Sequence, residues 1–226
     1  MVVPGGIFGS AVQTLRWNGV PSTRHLIANH RNSAMFIQTE TTPNPDVLKF
    51  LPGRDVLGAG TREFADADAA AETSPLAAAI FEIEGVRRVF LGADFLTVTR
   101  EAHGLEWRQM KAPVLAAIME HYTSGAPILR ETAGAAEGHD AAVYEGETAH
   151  IVAEIKDLLD TRIRPAVAQD GGDITFSRFE PDTGVVFLNM RGACSGCPSS
   201  SATLKAGVEN MLKHYVPEVT RVEQTL

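Results

Sequence analysis

The sequence predicts an α+β protein made of two small mixed α/β domains joined by a flexible acidic linker. Short apolar runs bounded by proline and glycine alternate with apolar stripes at helical spacing in two separate regions. Between them lies a stretch of glycines and acidic residues that has no such periodicity. At 226 residues the chain also exceeds the usual size of one domain. The expected boundaries are an unstructured extension over 1–34, a first domain over 35–122, a linker over 123–149 and a second domain over 150–226.

The extension contains Arg16, Arg24 and Arg31 and no acid, the composition of a transit peptide. Alternatively, Met35 is the true start. Strands are expected from Phe36 to Glu40 and from Val47 to Leu51, separated by Thr42-Pro43-Asn44-Pro45-Asp46, whose prolines cannot donate to a ladder. Ser74-Pro75 pairs a capping oxygen with a proline at the first helical position and predicts a helix through Leu76 to Phe81. Strands Val86 to Leu91 and Phe95 to Thr99 flank Gly92-Ala93-Asp94. A helix from Trp107 to about Tyr122 should bury Met110, Val114, Leu115, Ile118 and Met119. In the linker, Glu131, Glu137, Asp140, Glu145 and Glu147 face Arg130 alone.

The second domain should open with Thr148 as N-cap and a helix bearing Ile151, Ile155, Leu158 and Leu159, ending before Pro165. Asp170-Gly171-Gly172-Asp173 reads as a turn, since no G-K-[ST] follows that would suit a phosphate. Strands Ile174 to Phe179 and Val185 to Met190 flank the turn Pro181-Asp182-Thr183-Gly184. A helix from about Ser199 to His214 should turn Leu204, Val208, Met211 and Leu212 inward, and Val219 to Val222 forms a last short strand.

Composition excludes several classes of function. A net charge of −8 disfavours nonspecific binding to a phosphate backbone, so no nucleic-acid partner is expected. No run approaches the roughly 18 consecutive apolar residues of a membrane span, so no membrane partner is expected either. Two cysteines without a disulfide framework suit a reducing compartment: the cytoplasm, or the mitochondrial matrix if 1–34 is a transit peptide. No nucleophile with a base and an orienting group is visible, and the chain is not expected to be an enzyme. The carboxylate pairs Asp66/Asp68 and Glu82/Glu84 lack a partnered base, His214 has no ligand spacing, and Trp107 reads as core.

The chemistry is concentrated in Cys194-Ser195-Gly196-Cys197-Pro198, which holds both cysteines of the chain. Thiols at this spacing converge on one point and serve zinc, an iron–sulfur cluster or dithiol exchange. A zinc or cluster site takes about four protein ligands, so two thiolates leave it half complete. A second copy of the chain is the simplest source of the remainder. A helix N-terminus after the loop should lower the thiol pKa, and Gly192 and Gly196 should let backbone approach sulfur. Ser199, Ser200 and Ser201 suit capping.

The runs Asp170-Gly171-Gly172-Asp173-Ile174, Gly192-Ala193-Cys194-Ser195-Gly196-Cys197-Pro198-Ser199-Ser200 and Thr203-Leu204-Lys205 resemble the C-terminal domain of the NifU and Nfu iron–sulfur proteins. Thr42-Pro43-Asn44-Pro45 with Leu48-Lys49-Phe50 resembles the opening of the Nfu-type N-terminal domain. The resemblance implies a scaffold or carrier that holds a [4Fe–4S] cluster between two subunits through Cys194 and Cys197 of each. It further implies a homodimer formed on cluster binding, upstream cluster-assembly machinery as donor, and recipient apo iron–sulfur proteins. The competing expectations are a dithiol–disulfide oxidoreductase and a zinc-stabilised dimeric interaction module.

Overall fold

The computed structural model describes residues 36–130, 143–195 and 198–225. The expected extension over 1–34, the middle of the expected linker, Gly196 and Cys197 lie outside the described residues, as do the side chains of Ser199, Ser200 and Ser201.

The first domain is a five-stranded antiparallel sheet with helices on one face. Its strands are β1 (Gln38–Thr41), β2 (Val47–Leu51), β3 (Arg62–Phe64), β4 (Val86–Leu91) and β5 (Leu96–Arg100), in the order β1-β2-β5-β4-β3. The β1–β2 turn is held by its own side chains. Asn44 Oδ1 accepts from the Asp46 amide at 3.0 Å, and Thr42 Oγ1 accepts from the Asn44 amide at 3.2 Å. Helices α1 (Ala67–Thr73) and α2 (Pro75–Phe81) meet at Ser74, whose hydroxyl caps α2 by accepting from the Ala77 amide and also donates to the Ile128 carbonyl. Helix α3 (Trp107–Ser124) closes the layer.

Alternation along the strands sets the core face. Leu48, Phe50, Leu96, Val98, Val89 and Leu91 pack against Leu76 and Ile80 of α2 and Val114 and Ile118 of α3. Each large side chain buried there contributes about 1.5–3 kcal/mol. Met119, expected inward, is exposed, while His121 is buried instead. The buried face of α3 runs Met110, Val114, Ile118, His121, and Met119 lies to one side of it.

The second domain carries β6 (Gly172–Glu180), β7 (Val185–Gly192) and β8 (Arg221–Gln224), with β6 antiparallel and β8 parallel to the central β7. Helix α4 (Gly146–Leu158) begins from extended backbone at Glu145, so Thr148 lies inside its first turn rather than capping it. The helical path also does not stop at Pro165. A π turn over Leu159–Ile163 widens the coil, and α5 (Arg164–Gln169) restarts with the proline in its first turn, where a missing amide costs little. Ile155, Leu158, Leu159, Ile163 and Val167 pack with Ile174, Val186 and Leu188 of the sheet and with Val208 and Leu212 of α6 (Pro198–Tyr215). Met211, expected inward, is partly exposed.

At the expected linker, α3 extends through Ser124, Ile128 and Leu129 pack on the first core, and α4 begins at Gly146. Strand β3 and helix α1 have no counterpart in the sequence reading. β3 is too short to show a period, and α1 is nearly all alanine and polar residues, so neither carries an amphipathic signature.

Candidate functional site

The loop between β7 and α6 starts from a turn that only glycine can make. Gly192 has φ +64°, and an added Cβ would fall 2.7 Å from the Gly171 carbonyl oxygen. Gly171, at φ +84°, turns the chain from α5 into β6. The close approach to sulfur belongs to Gly172, where a Cβ would sit 2.4 Å from Cys194 Sγ. The sequence assigned that role to Gly192 and Gly196. Gly192 instead packs against the backbone of Gly171 and Gly172, and Gly196 lies outside the described residues. Asp170 to Asp173 thus forms the floor of the cysteine loop as well as a turn.

Asp173 is buried and fully engaged. Arg164 grips it with Nε at 2.8 Å from Oδ1 and a second nitrogen at 3.0 Å from Oδ2. The Ile174 amide donates to Oδ1 at 2.9 Å, and the Thr61 hydroxyl of the first domain donates to Oδ2 at 2.6 Å. The grip raises the Arg164 pKa.

The loop lies on the outer face of the first domain's sheet, opposite its helices. The register aligns Glu40, Lys49, Thr97, Phe90 and Glu63 in one row across that face. Lys49 is only 6% exposed; its ammonium donates to the carbonyls of Ala168 at 3.1 Å and Gln169 at 2.9 Å. Glu63 Oε1 accepts from the Gly192 amide at 2.9 Å, and Asn44 Nδ2 donates to the Ser195 carbonyl at 3.3 Å. Arg88 reaches Ser195 Oγ at 3.5 Å. None of these partners was legible in the sequence. Alternation in β2 places Lys49 on the face away from the core, but nothing local shows what covers it.

Cys194 is 6% exposed. Its thiol is pushed up from 9.0 to about 12, first by burial and then by the charges of Asp170, Asp173 and Glu63. The expected lowering by the helix N-terminus is therefore overturned: desolvation and three carboxylates dominate. Among the described residues no three His, Cys, Asp or Glu side chains gather as metal ligands. His214 stacks edge-on with Tyr215, and Asp66 caps α1 by accepting from the Ala69 amide. Trp107 packs on the first core, as expected.

Comparison with known proteins agrees with this organisation. The family of the scaffold protein Nfu/NifU N-terminal region matches residues 37–125, and the NifU-like domain matches residues 155–223. NifU-like protein 4, mitochondrial, of Arabidopsis thaliana is 47% identical over 95% of this chain and 72% of its own length. The NFU1 iron-sulfur cluster scaffold homolog, mitochondrial, of Drosophila willistoni is 51% identical over 90% of this chain and 68% of its own length. A solution structure of a NifU-like protein from Saccharomyces cerevisiae aligns with 48% of this chain and 98% of its own, at 26% identity and a TM-score of 0.40. With both matched regions present in order, and with identity near one half to relatives of which about 70% is covered, the chain belongs to the Nfu/NifU scaffold family.

Proposed function

We propose that this protein is an iron–sulfur cluster scaffold and carrier. Its cargo is a [4Fe–4S] cluster bridged between two subunits by Cys194 and Cys197 of each and passed to recipient apoproteins. One observation carries the reading: a member of this family whose 226 residues offer two cysteines, both in a single loop after β7. Four thiolates per cubane then require two chains, and a site shared across a subunit boundary releases its cargo when that boundary opens. The protein transports rather than transforms, so no catalytic residue is assigned.

The position of the proline weighs against the dithiol oxidoreductase alternative, because Pro198 follows the second cysteine, whereas a thioredoxin-type loop places proline between the two. The first domain serves partner recognition and positioning of the loop. The working compartment is reducing: the cytoplasm, or the mitochondrial matrix if 1–34 is removed on import, the latter in line with the mitochondrial names of the relatives. Mass spectrometry of the native N-terminus separates cleavage, initiation at Met35 and retention of the extension.

The decisive test is native mass spectrometry after anaerobic reconstitution. It should report two chains with about four iron and four sulfide. Cys194→Ser and Cys197→Ser should each abolish the brown species. An intact cubane on one chain without an outside thiol, or zinc in place of iron after iron-replete expression, overturns the reading.

A further inference from the structure

The outer face of the five-stranded sheet has the chemistry of a wet surface, yet it is covered. Antiparallel sheets in two-layer domains commonly leave one face to water. Here the central row on that face, Lys49, Thr97, Phe90 and Glu63, lies under the cysteine loop and the α5–β6 turn. Three features describe a seam that can part. The buried clusters of the two domains are separate, so opening the seam breaks neither core. The contacts across it are mainly hydrogen bonds to backbone groups, those of Ala168, Gln169, Gly192 and Ser195, which water can replace. The Thr97 hydroxyl is fully buried at the centre without a hydrogen-bond partner, a cost that exposure relieves.

We propose that this sheet face is a docking site for the chain's own cysteine loop, and that docking and cluster sharing exclude each other. The described conformation is a closed form in which the backbone of Gly192 and Ser195, on either side of Cys194, is bonded to the first domain, while Cys194 itself packs in the second domain's core. Glu63 and Asn44 hold the loop there and Lys49 holds the α5–β6 turn beside it, and the loop meets the loop of a second copy only after leaving the sheet. The proposal rests on Cys194 being a cluster ligand, as argued above. It gives the first domain a definite task, setting how often the loop is available.

Thr97→Arg in the 226-residue chain tests it, because that side chain faces the α5–β6 turn on which the loop rests, 2.9 Å from where a Cβ on Gly171 would lie. Lys49→Met is the second variant; it keeps the aliphatic stem and removes both hydrogen bonds to the α5–β6 turn. Hydrogen exchange reads the loop peptide containing the Gly192 amide, with β5 amides reporting that the first domain remains folded. Exchange at the loop and the initial rate of anaerobic cluster formation should both rise about tenfold, equivalent to about 1.4 kcal/mol in the opening equilibrium. Unchanged loop exchange in both variants, with clusters forming at the wild-type rate, overturns the docking proposal and leaves the carrier reading intact. Faster loop exchange with an unchanged rate of cluster formation overturns the gating. Faster loop exchange with no cluster formed by any variant or by the wild type leaves the contact standing and removes the carrier reading.

Discussion

Replacing Arg164 by methionine keeps the aliphatic stem and deletes the bidentate grip on Asp173, leaving a carboxylate at 3% exposure with the Thr61 hydroxyl and the Ile174 amide as its remaining donors. Breaking a buried ion pair from one side costs about 3–5 kcal/mol. The Arg164 side chain retains about a third of its exposure, and two donors remain, so the cost falls below that range, to about 2–3 kcal/mol. The loss should appear as a lower denaturant midpoint with an unchanged slope in urea unfolding followed by circular dichroism. Combining Arg164→Met with Asp173→Asn removes the stranded charge, and the double variant should be more stable than Arg164→Met alone. A loss below about 0.5 kcal/mol for Arg164→Met, or strict additivity in the cycle, refutes the reasoning that this pair fixes the floor of the cysteine loop.

Other perturbations probe different parts of the molecule. Gly172→Ala forces a methyl group against Cys194 Sγ and the Arg191 carbonyl, and should destabilise the second domain by about 1–3 kcal/mol while lowering the iron retained per chain after reconstitution, measured by elemental analysis. Ser74→Ala removes the cap of α2 and the bond to Ile128, costing about 1–2 kcal/mol in thermal or urea unfolding. His121 is buried on α3, and burial lowers its pKa from 6.5. Its contribution to stability is present above pH 6.5 and is lost as pH falls through the lowered folded value, since the unfolded state then binds the proton more readily. The urea midpoint of the wild type minus that of His121→Leu should therefore decline with acidification through this window, and a flat difference would contradict the assignment.

The parts legible in the sequence are those written locally. β2 and β4 match their expected spans, as does the Ser74-Pro75 helix start, because alternation, turn residues and caps act over a few positions. The cysteine pair stood out by composition alone. Pro165 misled because the rule that proline ends a helix assumes an α coil, and the π turn before it supplies the missing slack. The partners of the loop were invisible for a different reason. Asn44, Lys49, Thr61 and Glu63 act across more than 100 positions of chain, and their role depends on which face of the sheet the second domain covers. The direction of the Cys194 shift failed because the thiol packs into the second domain's core beside Asp170 and Asp173, with the Glu63 charge added from the first domain.

The widened coil between α4 and α5 also constrains how this chain tolerates insertion and deletion. Removing any one residue from Leu159–Ile163 would restore ordinary helical spacing and look conservative by length. Yet the unbroken α coil would put Pro165 in a position that demands an amide, so the helix would have to break or kink there, next to the Arg164 that grips Asp173.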